Sequence, residues 1–257
     1  MVYDPSIVVV AQGRKKGYLG DQVYTYDAYN YLVLPVPLPL GCETVEASSE
    51  KPALALSVQV TPTVLGELLL QMDDVYVANG AVPRGIYSTL LVDELSNAVV
   101  RLLEFLRSPI DTRVLGPQIV REITYHVLRG EHGGALREMV TRHSNFSQIA
   151  KVLKRIYMKH PTALDLETLA NEANISVSTF HHNFKAVTST SPLQYVKSIR
   201  LHRARIMMAQ DGLNACTAAG QVGYESASQF SREFKRFFGS SPSEEAKKVR
   251  ASQRAQL

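Results

Sequence analysis

Residues 1–60 alternate short apolar runs with turn-forming residues. The runs are "SIVVVAQG", "KKGYLG", "QVYTY", "YLVLP" and "PALALSVQV", and Gly, Asp, Asn and Pro separate them. Short β-branched and aromatic strands at this spacing are typical of an antiparallel sandwich or barrel. The pattern changes at Thr61, which can cap a helix that has Pro62 in its first turn. We therefore predict a β domain followed by helices, with residues 73–88 as a loop.

Two longer helices follow, each with one apolar stripe. They are predicted over residues 90–108 and 113–129. The stripes consist of Leu91, Leu95, Ala98, Leu102 and Leu106 in the first helix and Leu115, Ile119, Ile123 and Val127 in the second. A stripe of this kind packs either within the chain or against a second copy, and both alternatives stay open. Because Val99, Leu103 and Phe105 widen the first face, we predict that these two helices supply any homodimer contact.

A further helix opens the second half of the chain. It is predicted to begin near Ser144 or Ser147, to run to Lys159 and to end before Pro161. We therefore place a domain boundary near residue 143.

Charge also divides the chain at this boundary. Residues 1–143 contain 12 Lys and Arg against 16 Asp and Glu, a net charge of −4, whereas residues 144–257 contain 16 against 8, a net charge of +8. This asymmetry predicts that only the second half meets a polyanion, and a solvated basic surface is the alternative interpretation.

The cysteines Cys42 and Cys216 form no disulfide framework or zinc spacing, which suits a reducing cytoplasm. The most hydrophobic run, "YLVLPVPLPL", contains three prolines and is too short to span a membrane.

The basic half contains an internal repeat. "ISVSTFHHNFKAVTSTSP" at 175–192 matches "YESASQFSREFKRFFGSSP" at 224–242. Six identities share one offset: Ser176 with Ser226, Ser178 with Ser228, Phe180 with Phe230, Phe184 with Phe234, Lys185 with Lys235 and Pro192 with Pro242. A repeat of this period indicates a duplicated supersecondary unit.

Each repeat is predicted to be two helices joined by a tight turn. The predicted caps are Asp165 and Ser176 in the first unit and Asn214 and Ser226 in the second, and the turns are at Asn174–Ile175 and Gly223. This is the helix-turn-helix pattern, in which the second helix lies in the major groove of DNA. The two recognition helices are predicted near 176–187 and 226–238.

The recognition helices have one apolar and one polar face. Phe180, Phe184, Phe230, Phe234 and Phe237 are predicted on the buried face. The predicted DNA-binding residues are Ser178, Thr179, His181, His182, Lys185, Ala227, Ser228, Gln229, Arg232 and Arg236. Glutamine suits adenine, and arginine suits guanine or phosphate.

A third helix joins the two units. "SPLQYVKSIRLHRARIMMAQ" begins with Ser191 as a cap, and a helix of about eighteen residues is roughly 27 Å long. Successive major grooves are about 34 Å apart, so this linker can hold both units on one face of the DNA.

These motifs resemble the DNA-binding half of AraC-type transcription regulators. The similarity covers about residues 147–247, including "STSPLQYVKSIRLHRAR" and "GYESASQFSREFKRFFGSSP". The first half resembles the partner domain of one AraC subgroup, through "YDPSIVVVAQGRKKGYLGDQVYTYDAYNYLVLPVPLPL" and "PQIVREITYHVLRGEHGGALREM".

The resemblance implies an α+β fold with a cupin-like β-sandwich and helices in domain 1–143, and an all-α domain 144–257. It implies a bacterial regulator with double-stranded DNA as partner, a small-molecule effector, a homodimer, and RNA polymerase as a further partner of an activator. Three departures stand out. His182 stands where the subgroup usually has an arginine, and Gly220 interrupts the first helix of the second unit, at a cost of about 1 kcal/mol relative to alanine. The family usually carries further residues before "YDPS", whereas this sequence begins at Met1, so a leading strand is expected to be missing.

Metal binding, catalysis and cofactor binding have little support in the sequence. The histidines are 126, 132, 143, 160, 181, 182 and 202, so none lies in the predicted sheet and we expect no metal there. Neither a catalytic motif nor a cofactor motif is present, so the protein is not predicted to be an enzyme. Tyr24, Tyr26, Tyr29 and Tyr31 are predicted to line an effector pocket, with strand packing as the alternative. The competing function is a small-molecule-binding or catalytic cupin-like protein that binds nucleic acid nonspecifically.

Overall fold

The first half is built from antiparallel sheets. The computed structural model describes residues 2–48, 50–72, 82–141, 144–159 and 165–254. Its strands are β1 (Val2–Tyr3), β2 (Ser6–Gln12), β3 (Arg14–Leu19), β4 (Gln22–Asp27), β5 (Asn30–Leu34), β6 (Leu38–Pro39), β7 (Gly41–Glu46), β8 (Leu54–Gln59) and β9 (Tyr87–Leu90). They form a four-stranded sheet of order β8-β2-β5-β9, a three-stranded sheet of order β4-β3-β7, and the pair β1-β6. The predicted α+β class with N-terminal antiparallel sheets is confirmed.

The four-stranded sheet is buried on both faces. Ile7 and Val9 of β2 lie in one hydrophobic core, and Val8 and Val10 lie in the other. Successive side chains of a strand point to opposite faces, so one unbroken apolar run serves two cores. Helices cover the first face, and the three-stranded sheet together with helices of the second half covers the other.

Five helices complete the first half of the described chain. They are α1 (Pro62–Met72), α2 (Asp93–Phe105), α3 (Pro109–Val114), α4 (Gly116–Arg129) and α5 (Gly133–Glu138). The predicted helix over 113–129 starts too early, because Pro117 lacks the N–H that a continuous helix would need. The prediction of a loop over 73–88 is wrong at its end, where β9 begins and pairs with β5; residues 73–81 lie outside the described residues.

The second half is helical throughout its described ranges. Its helices are α6 (Asn145–Lys159), α7 (Leu166–Glu172), α8 (Val177–Thr188), α9 (Pro192–Gln210), α10 (Ala215–Gln221), α11 (Ala227–Phe238) and α12 (Pro242–Arg254). The Ser144 hydroxyl accepts from the backbone N–H of Ser147 at 3.0 Å, which agrees with the predicted start of α6. The predicted boundary at residue 143 and the predicted stop at Pro161 lie outside the described residues.

One hydrophobic core joins the two halves of the chain. Phe146 of α6, Phe184 of α8 and Tyr195 of α9 pack in the same cluster as Val8 and Leu32 of the sheet. The residues around α11 form a separate cluster with the C-terminal part of α9. The first repeat therefore packs on the β domain, and α9 connects the second repeat to it. The division into domains 1–143 and 144–257 stays a prediction.

Two close backbone contacts join the first repeat to the β domain. The N–H of Gly85 donates to the carbonyl oxygen of Val187, at the end of α8, at 2.7 Å. A Cβ atom at Gly20 would lie 2.8 Å from the carbonyl oxygen of Ser189, so only glycine fits this contact.

Within the described residues, no helix is long and apolar enough to cross a membrane.

Candidate nucleic-acid interface

Side-chain caps start all four helices of the two repeats. Asp165 accepts hydrogen bonds from the backbone N–H groups of Glu167 and Thr168, at 3.1 and 3.2 Å. Three more predicted caps accept one such bond each: Ser176 at 3.2 Å, Asn214 at 2.9 Å and Ser226 at 3.2 Å. These bonds satisfy N–H groups that have no partner inside the helix. The predicted helix starts are confirmed.

The turns of the two repeats have the same backbone geometry. Asn174 and Gly223 are both left-handed, with φ of 52° and 85°. The next residue bonds back to the first helix in each unit, from Ile175 to Ala170 at 3.2 Å and from Tyr224 to Ala219 at 2.9 Å. In the second unit Glu225 adds one residue before the cap of α11. Helix α10 runs through Gly220 without a break, contrary to the expected interruption.

A phenylalanine pair anchors each second helix. The Phe180 and Phe184 ring centroids are 5.4 Å apart and the Phe230 and Phe234 centroids 5.3 Å apart, both with an interplanar angle of 54°. All four side chains are fully buried. The prediction for Phe237 is wrong, because this ring is 41% exposed at the end of α11. Its edge packs on His202 rather than inside the core.

The opposite faces of α8 and α11 are solvent-exposed. Every residue predicted to bind DNA is exposed: Ser178, Thr179, His181, His182 and Lys185 on α8, and Ala227, Ser228, Gln229, Arg232 and Arg236 on α11. A shallow depression on α8 is lined by Ser178, His181, His182 and Lys185. Exposure on one face is what contact with a groove requires, and DNA contact by these side chains stays a prediction.

A carboxylate network orients Gln229 on the face of α11. Glu233 accepts hydrogen bonds from Gln229 at 3.2 Å, from the Tyr224 hydroxyl at 2.9 Å and from Lys197 at 3.2 Å. Partial burial raises the pKa of Glu233, but these three donors lower it by more, so the net shift is downward. The sequence-based prediction did not include Glu233. Gln229 and Glu233 are four residues apart, which makes them neighbours on one helix face, and this spacing could have predicted their hydrogen bond.

The linker helix α9 is tied to both repeats. Its 19 residues correspond to about 28 Å of helix, close to the predicted length. Arg205 pairs with Glu245 of α12 at 2.6 Å and lies over the ring of Phe238 at 5.1 Å. The Ser240 hydroxyl also donates to Glu245 at 2.6 Å. Arg205 therefore has a structural role within the second repeat.

The four tyrosines predicted to line an effector pocket do not share one cavity. Tyr24 lines a cavity of about 640 Å³ with Arg84, His132 and neighbouring residues. Tyr26 is buried in the core below it, Tyr29 is 77% exposed, and Tyr31 points into the core on the other face of the sheet. Tyr24 and Tyr26 lie on β4 of the three-stranded sheet, and Tyr29 lies in the turn that follows it. Tyr31 lies on β5 of the four-stranded sheet and faces the other core.

Metal-binding chemistry has no support in the described ranges of the chain. Nowhere in these ranges do three His, Cys, Asp or Glu side chains converge as they would around a metal ion. His202 is buried beside Phe237 and Phe238, and burial together with the charge of Arg205 lowers its pKa to about 2. It is therefore a neutral core histidine.

Comparison with known families matches both halves of the chain. The family model described as "AraC-type transcriptional regulator N-terminus" matches residues 1–135, and the one described as "Helix-turn-helix domain" matches residues 169–248. The first covers more than half of the chain.

Curated relatives match part of the chain. RclR, an RCS-specific HTH-type transcriptional activator of Escherichia coli K12, is 32% identical over 103 residues, which are 40% of this chain and 36% of the relative. The raffinose operon regulatory protein RafR of Pediococcus pentosaceus is 29% identical over 143 residues, 56% of this chain and 50% of the relative. The matched part thus spans about a third to a half of each relative.

A solved structure of ToxT from Vibrio cholerae has a similar fold. Its TM-score is 0.61 at 14% sequence identity, and the similarity covers 95% of this chain and 89% of that one. At this identity the similarity concerns the fold alone.

Proposed function

The chain belongs to the AraC-type family of transcriptional regulators, and we propose that it binds DNA sequence-specifically to regulate transcription. Helices α8 and α11 read two successive major grooves. The observation that carries this proposal is the structural duplication, in which two capped helices with matched phenylalanine anchors each expose a polar face.

The length of the linker helix α9 and the net charge of the second half support binding to two successive major grooves. Groove-to-groove spacing is about 34 Å, and the helix α9 with its flanking turns is of comparable length. The segment 144–257 carries a net charge of +8, which favours the phosphate backbone. The segment 1–143 carries −4 and is expected to face away from the DNA.

The two units are expected to contribute unequally. Unit two offers Gln229, Arg232 and Arg236, of which the first suits adenine and the others suit guanine or phosphate. The first unit has His182 where the subgroup that this chain resembles usually has an arginine. Arginine presents five donors and a permanent charge, so its replacement weakens this contact.

Selection from a random-sequence DNA library tests the proposal. We expect the intact protein to enrich one motif, and footprinting to show two protected major-groove segments about one helical turn apart. Enrichment of no motif, with binding that only falls as salt rises, would favour the alternative of a ligand-binding or catalytic cupin-like protein with nonspecific affinity.

A small-molecule effector, RNA polymerase and the bacterial cytoplasm complete the proposal. The β domain and its junction with α6 carry cavities of several hundred Å³ and none of the predicted DNA-reading side chains. A small molecule bound there can change DNA binding through the core that both halves share. If the protein activates transcription, it also contacts RNA polymerase, and a reader of chromosomal DNA acts in the cytoplasm.

A homodimer is part of the proposal, with Leu103 and Leu106 of the predicted face in its contact rather than Leu95. Leu95 of the predicted seam is buried in the chain's own core, and Leu102 packs at its margin. Val100 and Leu103 of α2, its C-cap residue Leu106, and Ile110 and Val114 of α3 are apolar side chains that are each at least 41% exposed. Several exposed apolar side chains on two helices that pack together favour an interface. Dimerisation would tether two DNA-binding halves and raise affinity through effective concentration.

A further inference from the structure

Three hydrogen-bond donors hold the carboxylate of Glu233, which lies one helical turn after Gln229 on α11. Its Oε2 atom accepts from the Tyr224 hydroxyl at 2.9 Å. Its Oε1 atom accepts from Lys197 Nζ and from Gln229 Nε2, both at 3.2 Å. The donors come from three places: the turn before α11, the linker helix α9, and α11 itself. Because its side chain is only 16% exposed and is held from three sides, Glu233 is a fixed acceptor beside Gln229.

The surroundings of Glu233 keep it ionised and keep Tyr224 protonated. The Tyr224 ring packs edge-on against the buried Phe230, with ring centroids 5.3 Å apart. Burial and the neighbouring Glu233 carboxylate raise the pKa of Tyr224 above its usual range, so its hydroxyl remains a donor. Partial burial raises the pKa of Glu233, but its three donors lower it by more. An ionised carboxylate only accepts hydrogen bonds, so the amide atom of Gln229 that faces Glu233 is the nitrogen.

This contact limits what Gln229 can present to DNA. Gln229 is the third residue of α11 and is exposed, and the N-terminal residues of a recognition helix are the ones that contact base edges. A free glutamine amide has two N–H donors and one carbonyl acceptor, and it can turn either side toward a base. Because Glu233 takes one N–H, Gln229 presents one donor and one acceptor.

One donor beside one acceptor matches adenine and opposes guanine. In the major groove adenine shows the N7 acceptor beside the N6 donor, whereas guanine shows two acceptors, N7 and O6. Against guanine the amide oxygen of the held Gln229 would face O6, which is a second acceptor. An amide that turns freely would instead direct its NH2 group at both guanine acceptors. The difference between the two bases therefore depends on how firmly the amide is held.

We propose that Glu233 is a positioning residue that determines specificity, because it holds Gln229 in the arrangement that reads adenine and rejects guanine at one base pair. Glu233 acts through Gln229 and needs no contact of its own with DNA. The inference rests on the DNA-binding function proposed above. It adds that removal of Glu233 changes the choice between two bases more than it changes the affinity for the preferred site.

The first helix-turn-helix unit has a different arrangement at the equivalent positions. The repeat pairs Thr179 with Gln229 and Asn183 with Glu233. The Thr179 hydroxyl shares a hydrogen bond with the hydroxyl of Ser176 at 2.9 Å, and Asn183 is uncharged and only 3% exposed. The discrimination is therefore expected at the base pair read by the second unit.

Parallel selections from a random-sequence DNA library find that base pair. They use the intact wild-type protein and the intact Gln229→Ala variant, and the motif position that loses its preference in Gln229→Ala is the one that Gln229 reads. Fluorescence anisotropy then gives the Kd for two duplexes that differ only there, with adenine or guanine on the contacted strand. We expect the wild type to bind the adenine duplex at least about tenfold more tightly than the guanine duplex.

Three variants test the role of Glu233. Glu233→Ala should reduce the ratio of the two Kd values to less than roughly threefold, chiefly by tighter binding of the guanine duplex. Tyr224→Phe keeps the charge and the ring but removes one donor to the carboxylate, so its ratio should lie between those of Glu233→Ala and the wild type. Glu225→Ala is the matched control, because it removes an exposed carboxylate from the same turn. It should change both Kd values by one factor and leave their ratio unchanged.

The ratio separates positioning from a purely structural role. A residue that only stabilises α11 would, when removed, weaken binding to both duplexes by the same factor. A wild-type ratio in Glu233→Ala, or the same motif in Gln229→Ala and the wild type, would overturn the inference and leave the DNA-binding function standing. If the melting temperature shows that Glu233→Ala does not fold, the ratio of Tyr224→Phe decides. A wild-type protein that enriches no motif would overturn both proposals.

Discussion

The hydroxyl of Tyr195 donates a hydrogen bond to the carbonyl oxygen of Pro37 at 2.8 Å, and both residues are buried. Burial raises the pKa of this phenol above its usual range, so it stays a protonated donor. The bond joins the linker helix α9 to the chain between β5 and β6. The first helix-turn-helix unit with its linker helix and the β domain therefore share a buried polar contact as well as a hydrophobic core.

Removing this hydroxyl should destabilise the whole chain. Tyr195→Phe leaves the Pro37 carbonyl oxygen buried without its partner, and we expect the free energy of unfolding to fall by about 1–2 kcal/mol. Urea denaturation of the intact protein measures this. Tyr18→Phe is the control, because the Tyr18 hydroxyl bonds the exposed Glu43 and its loss should cost less than about 0.5 kcal/mol. Equal stability of Tyr195→Phe and the wild type would contradict the expectation.

Arg232 is expected to be a main contact of the second unit. Arg232→Ala removes an exposed guanidinium and should weaken binding to the selected duplex by about 1–3 kcal/mol. Fluorescence anisotropy titration gives the Kd. Lys247→Ala on α12 is the control, because it removes one positive charge away from α11. A similar loss in both variants would mean that only net charge matters.

The first unit is expected to bind more weakly at His182. His182→Ala should weaken binding by less than Arg232→Ala, and His182→Arg should tighten binding by adding a permanent charge and five donors. Both variants keep the fold because the side chain is exposed. The same anisotropy titration ranks them. If His182→Ala proves as damaging as Arg232→Ala, the two units contribute equally.

The apolar face of α2 and α3 is expected to form the dimer. Leu103→Glu places a charge in this face and should shift the protein to monomers and weaken DNA binding. Analytical ultracentrifugation at micromolar concentration reports the mass. Leu70→Glu is the matched control, because Leu70 is 85% exposed on α1, outside this face. A wild-type protein that is already monomeric would rule out the dimer.

Buried His202 should make the protein sensitive to acid. Its pKa is about 2 in the folded state and about 6.5 in an unfolded chain. Between these values the unfolded chain binds one more proton, so stability is lost as the pH falls below about 6.5, by about 1.4 kcal/mol per pH unit.

A variant without the imidazole tests this assignment. His202→Leu should remove most of the slope between about pH 5 and pH 6.5. Urea denaturation across that range measures the slope. His181→Ala, at an exposed histidine, should keep the wild-type slope. A slope that persists in His202→Leu would assign the acid sensitivity to other groups.

The predictions that held best concern neighbours in the chain. Ser176, Asn214 and Ser226 cap helices as predicted, and each bonds an N–H three residues ahead. The apolar stripe that carries Phe180 and Phe184 also follows from helical spacing. The helix-turn-helix fold and the antiparallel β domain were predictable for the same reason, because caps, turns and periodicity act over a few residues.

The errors concern contacts between distant parts of the chain. Strand β9 pairs with β5 across more than fifty residues, and its own sequence carries little signal. Leu95 and Leu103 lie on the same helix, and only the packing of α2 on α4 decides which of them is buried. The four tyrosines were grouped by closeness in sequence, and the fold places them on two different sheets and in the turn between their strands.

Local sequence patterns predict the two helix-turn-helix units, with their caps, turns and exposed faces, because those features depend on interactions within one or two helical turns. The packing of the first unit into the core of the β domain follows only from the folded structure. Tyr195 meets Pro37 across 158 residues, and Lys197 meets Glu233 only where α9 packs beside α11. Such contacts depend on the summed packing of many elements, which no local pattern of residues encodes.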